Sequence, residues 1–269
     1  MYSTVFGGLA AILYVATGSL LGIRLSRASS GKTWGKAGLL AIAWVAVFMH
    51  AAMLAPLVIR PAGMNLGFFN ALSCSGWLTA IVLLLSAMVR PVESLGIILL
   101  PFSAATVILA LLFPSERIVA DSNQWPLEIH ILISILAYSI LALAAVQAVL
   151  LAIQDRRLHS RHPGGFIRGI PPLITMESLL FQMISIGFIL LSLALLSGFL
   201  FLEDIFAQHL VHKTVLSIAA WGVFGILLWG RWRFGWRGRT AIRWTLSGFM
   251  ALVLAYFGSK LVLELVLQR

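Results

Sequence analysis

Six histidines are the residues of this 269-residue chain best suited to chemistry. Neutral imidazole ligates transition metals and haem iron. His159 and His162 stand among arginines in a connector, where a solvated or headgroup-facing role suits them. His50, His130, His209 and His212 lie inside long apolar runs or at their ends. Ionisable groups are costly to hold in hydrocarbon, so each is a functional hypothesis by default. His209 and His212 are three residues apart, which puts both on one face of a helix. His130, Ser134 and Tyr138 follow at four-residue steps and draw one polar stripe that must face protein or a cavity rather than lipid. Two histidines on facing helices can bind one iron axially; the alternative for each is interhelical hydrogen bonding or snorkelling at the interface. Other chemistries lack their residues. No HExxH stands on any helix, and Cys74 is the single cysteine, which excludes a disulfide framework, a Cys-based zinc site and a CxxC redox pair. Glu264, the one carboxylate placed in a span, follows Lys260 by four residues and reads as a local ion pair.

The elements that must position these histidines follow from composition. Apolar residues make up 61% of the chain and charged residues 10%, against roughly 25% charged in a soluble domain. The apolar residues fall in runs of about 20, the length that crosses a hydrocarbon core. In lipid each run must satisfy its own backbone, so the runs are helices. Strand-like alternation is absent, which argues against an outer-membrane barrel. The predicted spans are 3–23, 37–59, 68–89, 95–113, 129–153, 178–202, 211–230 and 244–267. The fold class is therefore all-α: a polytopic transmembrane bundle of about eight helices, one integral membrane domain over 1–269. No internal repeat is evident. The stretch from Ser3 to Ile23 lacks the basic flank of a cleavable signal peptide. The longest connector, Gln154 to Thr175, holds Pro163, Gly164, Gly165, Pro171 and Pro172 and reads as a turn-rich link rather than a domain.

Charge orients the bundle. Fourteen of the nineteen Lys and Arg residues lie in the odd-numbered loops. The positive-inside rule makes those loops cytoplasmic and sends both termini to the outer, periplasmic side. Glu116, Asp121, Glu128, Glu203 and Asp204 fall in outer loops, in keeping with that map. The net charge of +10 is thus a topology signal and not a nucleic-acid footprint. Trp229, Trp232, Trp236 and Trp244 flank helix ends on the basic side and read as an aromatic belt with arginines for lipid phosphates. The same orientation carries His50, His130, His209 and His212 toward the outer leaflet.

The histidines also bring a resemblance. The stretch His130-Ile-Leu-Ile-Ser-Ile-Leu-Ala-Tyr138 resembles the His-led helix of the cytochrome c assembly family. Glu177 to Phe181, Ile186-Gly-Phe188 and Leu196-Ser-Gly198 resemble that family's following helix. Lys213 to Trp221, Phe224 and Arg231 match the spacing of the next, and Tyr256-Phe-Gly258 is similar to the last. The resemblance covers roughly 60–267 and is nearest to a divergent YpjD-like and HemX-like inner-membrane branch, for which His212 to Ser217 and Gly235 to Arg239 look characteristic.

The resemblance implies haem handling, with haem held on an outer tryptophan-rich segment by flanking histidines. His130 takes the place of the first outer histidine. In place of the tryptophan-rich segment stands Phe201 through His212. The family's remaining histidine positions align with Trp229 and about Leu267, and Asn65 to Phe69 replaces a transmembrane histidine. The implied site is haem b between His130 and His212, with His209 as the other choice and Lys213 facing a propionate. No bond-making chemistry is identified, so the chain reads as a non-enzyme. Two other readings stand beside it. One is a membrane partner or regulatory subunit that keeps the fold without haem. The other is a small-solute transporter, for which His50, Tyr138 and Gln147 offer a sparse polar path.

Overall fold

A computed structural model describes residues 2–27, 35–61, 63–114, 118–120, 125–159, 169–201 and 211–258. Within them the chain forms α1 (Tyr2–Ser26), α2 (Lys36–Val58), α3 (Phe68–Val89), α4 (Gly96–Leu112), α5 (Trp125–His159), α6 (Leu173–Phe201), α7 (Val211–Phe234) and α8 (Gly238–Val253). A 3₁₀ turn, Glu93–Leu95, leads into α4, and a π turn, Leu254–Gly258, follows α8. Among the described residues eight helices are long and apolar enough to cross a membrane. The eight expected spans are all present. Several run further than the apolar windows alone suggest: α5 reaches from Trp125 to His159 because Gln154 to His159 continue its helix past the hydrocarbon length. A small sheet among the described residues was also unforeseen, in the order β1 (Ile59–Arg60), β2 (Gly63–Asn65), β3 (Ile118–Ala120), with β1 and β2 antiparallel and Ile59 opposite Met64. It lies in connectors, where strands of two or three residues leave no alternation to read.

The chain divides into two compact units, residues 1–119 with 153–176, and residues 120–152 with 177–269. In the first, α1 packs on α2 and α4, and α3 on α2 and α4. Small and polar side chains such as Gly7, Ala10, Ala43, Ala46 and Ser73 let these helices approach, as close packing in lipid requires, and leucines such as Leu39, Leu83 and Leu100 fill the rest of the core. A Cβ on Gly76 would overlap the Thr106 side chain of α4, so only glycine lets α3 and α4 approach here. Ser103 Oγ of α4 lies within hydrogen-bonding reach of Gly76 O across that contact, at 2.9 Å, and of Leu99 O on its own helix, at 3.0 Å. Trp77 Nε1 of α3 donates to Val47 O of α2 at 3.0 Å.

His50 is the polar centre of this unit. It is fully buried with Tyr14 of α1 and Ser73 of α3. Tyr14 Oη lies 3.3 Å from its Nδ1 and Ser73 Oγ 2.9 Å from its Nε2. A neutral imidazole has one donor and one acceptor, and both are taken, so His50 ties α1, α2 and α3 together. At the basic end of the unit, Glu93 accepts Lys36 Nζ at 3.1 Å and faces Arg24 Nη1 at 3.8 Å, holding the end of α1, the start of α2 and the α3–α4 turn to one carboxylate. Gln154 Nε2 donates to Pro171 O at 3.0 Å and closes the ends of the α5–α6 connector.

In the second unit α7 lies against α8 and its π turn. Phe188 of α6 stacks on Trp221 of α7 with ring centroids 5.5 Å apart, and Trp221 Nε1 donates to Ser192 Oγ at 2.8 Å. Fully buried Phe224 fills the space beneath Gly248 of α8.

Replacing His50 with Leu removes both bonds and strands the hydroxyls of Tyr14 and Ser73 in a dry interior. The expected loss is about 1–3 kcal/mol of stability, read as a lower midpoint of thermal unfolding in detergent. A His50→Leu protein as stable as wild type would show that the cluster does not hold the unit together.

Candidate functional site

His130 sits in the second turn of α5, beside exposed Glu128 and Ile129, and is itself half-buried. Its ring lies against α6. Nδ1 is 2.9 Å from Ser197 Oγ, and Ser197 Oγ donates to Ala194 O at 2.9 Å. A serine hydroxyl carries one proton. In the arrangement where that proton is directed to the Ala194 carbonyl, Ser197 accepts from the ring and neutral His130 carries its proton on Nδ1. In that tautomer Nε2 is the unprotonated nitrogen; the ring also lies within hydrogen-bonding reach of the Ala194 carbonyl. A hydrogen bond at one ring nitrogen that sets the other as ligand is how proteins prepare a histidine for a metal.

Gly198 completes the seat. A Cβ there would stand 3.1 Å from His130 Cε1, tighter than ordinary contact, so glycine lets the imidazole lie on the helix surface. Further down α5, Tyr138 packs between Phe249 of α8 and Phe257 of the π turn, with centroids 5.4 and 5.3 Å away. Ser134, between them in sequence, is half-buried. The stripe drawn by His130, Ser134 and Tyr138 therefore meets α6 at its first member and α8 at its last, and both of those members face protein as the spacing predicts.

The other expected site residues divide. His209 and the side chain of His212 lie outside the described residues, as do His162, the side chain of His159, Lys260 and Glu264. Lys213 is half-buried near the start of α7. His50 lies within the first unit with both nitrogens bonded, and so has no lone pair to offer a ligand in this arrangement. Gln147 is buried within α5. Sequence reasoning did not assign Ser197 and Gly198 a role. They stand within the Leu196-Ser-Gly198 element, but nothing in their spacing ties them to a histidine 67 residues away.

Known proteins share this chain's pattern along nearly its whole length. The sequence profile of the Cytochrome C assembly protein family matches residues 10–267, which extends the expected 60–267 back through α2 and most of α1. The inner membrane protein YpjD of Escherichia coli strain K12 is 31% identical over 268 residues, 97% of this chain and 99% of that protein. The protein of the same name from Escherichia coli O157:H7 matches to the same extent. A 28.8 kDa protein from the nifR3-like 5′ region of Azospirillum brasilense is 31% identical over 208 residues, 74% of this chain and 77% of its own. No solved structure matches.

The Ser197 contact makes a prediction about a single proton. In protein labelled with ¹⁵N-histidine, His130 should show a protonated Nδ1 and an unprotonated Nε2 at neutral pH. Ser197→Ala should weaken that preference, and Gly198→Val should displace the ring. An unchanged His130 signal in both variants would show that α6 does not set the tautomer.

Proposed function

The chain belongs to the cytochrome C assembly protein family, and from that premise we propose that it is a haem-handling, multi-pass protein of the bacterial inner membrane. Its relative YpjD carries the inner membrane in its name, and eight apolar helices suit that place. The proposed ligand is b-type haem, bound reversibly near the outer leaflet. The basic odd loops support a cytoplasmic placement of their own side of the bundle and an outward placement of both termini.

One observation carries the reading: His130 Nδ1 lies 2.9 Å from Ser197 Oγ, whose hydroxyl also reaches the Ala194 carbonyl, an arrangement that suits a ring protonated on Nδ1 with Nε2 as the ligand nitrogen. Haem would supply an iron that takes imidazole nitrogen axially. On the α5 side the residues fit such a group, with an oriented nitrogen at His130 and, lower on the same helix, Tyr138 packed against Phe249 of α8 and Phe257 of the π turn. His212 is the proposed second ligand, with His209 as the alternative, and Lys213 would neutralise a propionate. His130 keeps its proton on Nδ1 and presents Nε2, Ser197 and Gly198 hold the ring, and the surrounding apolar helices exclude water. Nothing in this assignment makes or breaks a covalent bond, so the proposed role is carriage rather than catalysis. The replacement of the family's tryptophan-rich segment by Phe201 to His212 favours a second reading, a membrane partner or regulatory subunit that keeps the scaffold without haem.

An absorption spectrum of detergent-purified protein, expressed with ample haem, separates the two. The expected outcome is a Soret band that His130→Ala and His212→Ala each weaken or shift. No band at all, with a stable membrane protein co-purifying, would favour the partner reading; a band unchanged in both variants would reject these ligands. The orientation has its own check. A reporter that is active only outside the cytoplasm, fused after Arg269, should be active, and a silent fusion would reverse the assigned topology.

A further inference from the structure

The turn between α7 and α8 concentrates charge and aromatic surface that the haem reading does not use. Arg237 lies in it, with Arg231 and Arg233 at the end of α7, Arg239 and Arg243 at the start of α8, and Trp229, Trp232, Trp236 and Trp244 beside them. The turn is built. Gly235 adopts φ +68°, a left-handed conformation that closes a helix, and its N–H bonds Arg231 O at 3.1 Å. Aromatic rings then run in contact from Trp229 to Phe234, Trp236 and Trp244, with centroid spacings of 5.3, 6.4 and 5.5 Å.

Two of the arginines serve the turn itself. Arg231 donates from Nη1 to Trp236 O at 3.3 Å and lies 4.7 Å over the Phe181 ring. Arg237 Nε lies 3.3 Å from Glu177 Oε2, while Glu177 Oε1 accepts the Gly238 N–H at 2.8 Å. Both oxygens of that carboxylate are thus occupied. Arg233 and Arg243 are exposed, and no described residue pairs with either. Trp232 is 82% exposed, Phe234 60% and Trp229 54%.

We infer that the α7–α8 turn binds the headgroup of an anionic phospholipid, with Arg233 and Arg243 on the phosphates and Trp229 and Trp232 at headgroup depth. Guanidinium groups pair with phosphate oxygens through two parallel N–H bonds. Indoles settle where apolar chains meet water. A zwitterionic headgroup brings its own cation against these arginines and is disfavoured. A nucleic acid would have to cover exposed Trp232 and Phe234, which belong against acyl chains. The proposal is independent of haem and of His130.

Native mass spectrometry of the detergent-purified full chain, titrated with phosphatidylglycerol and in parallel with phosphatidylcholine, tests it. Wild type should retain phosphatidylglycerol several-fold more, and added salt should erode that preference. The double variant R233Q/R243Q should lose most of it, while R233K/R243K keeps a substantial part. Equal retention of the two lipids, a salt-insensitive preference, or full preference in R233Q/R243Q overturns the proposal. Displacement of the lipid by millimolar inorganic phosphate would assign the turn to a free anion and overturn the lipid assignment. Should R233Q/R243Q fail to fold, the wild-type lipid and salt comparisons still decide.

Discussion

Hydrocarbon offers no hydrogen bonds, so a polar group carried into a span must find its partner on the protein. That constraint runs through the described helices. Hydroxyls of Thr17, Ser75, Thr79, Ser185 and Thr245 bond the carbonyl one turn back on their own helix. Others reach across: Ser103 to α3, Trp77 to α2 and Trp221 to α6. These bonds are individually modest in membranes, on the order of 0.6 kcal/mol, but each selects one helix face and one depth. Apolar contact against lipid-like neighbours selects neither.

The two described intramembrane imidazoles show the constraint with opposite results. His50 has a partner at each nitrogen, and its chemistry is consumed in joining three helices. His130 has a partner at Nδ1, and that partner also reaches the Ala194 carbonyl. The first arrangement makes a clamp, while the second is the one on which the haem proposal rests. A histidine's burial and position therefore say less about its role than the number of its nitrogens already bonded.

The basic ends of the helices follow a related logic in water. Glu93 and Glu177 lie on the basic side, where the overall charge pattern places few carboxylates. Each gathers basic groups from separate segments: Arg24 and Lys36 at Glu93, Arg237 and the Gly238 N–H at Glu177. The basic groups gathered there hold the helix ends together. A tally of arginines by loop orients the bundle but cannot tell which of them meet a carboxylate.

The eight helices, their order and their approximate limits were legible in the sequence, because hydrocarbon thickness sets run length and backbone satisfaction within lipid dictates helix. The stripe from His130 to Tyr138 was also legible, because a four-residue step is a property of one helix. The small sheet was not, since strands of two or three residues carry no period. Nor were the pairings Tyr14–His50–Ser73 and His130–Ser197. They join residues 23 to 67 positions apart, and which faces meet depends on where small residues such as Gly76 and Gly198 let helices close. Sequence alone determined that this is a helical membrane protein with histidines at chosen depths. Tertiary structure decided that His130 meets Ser197 on α6, because a hydrogen bond is settled by distance and direction between helices and not by the spacing within one.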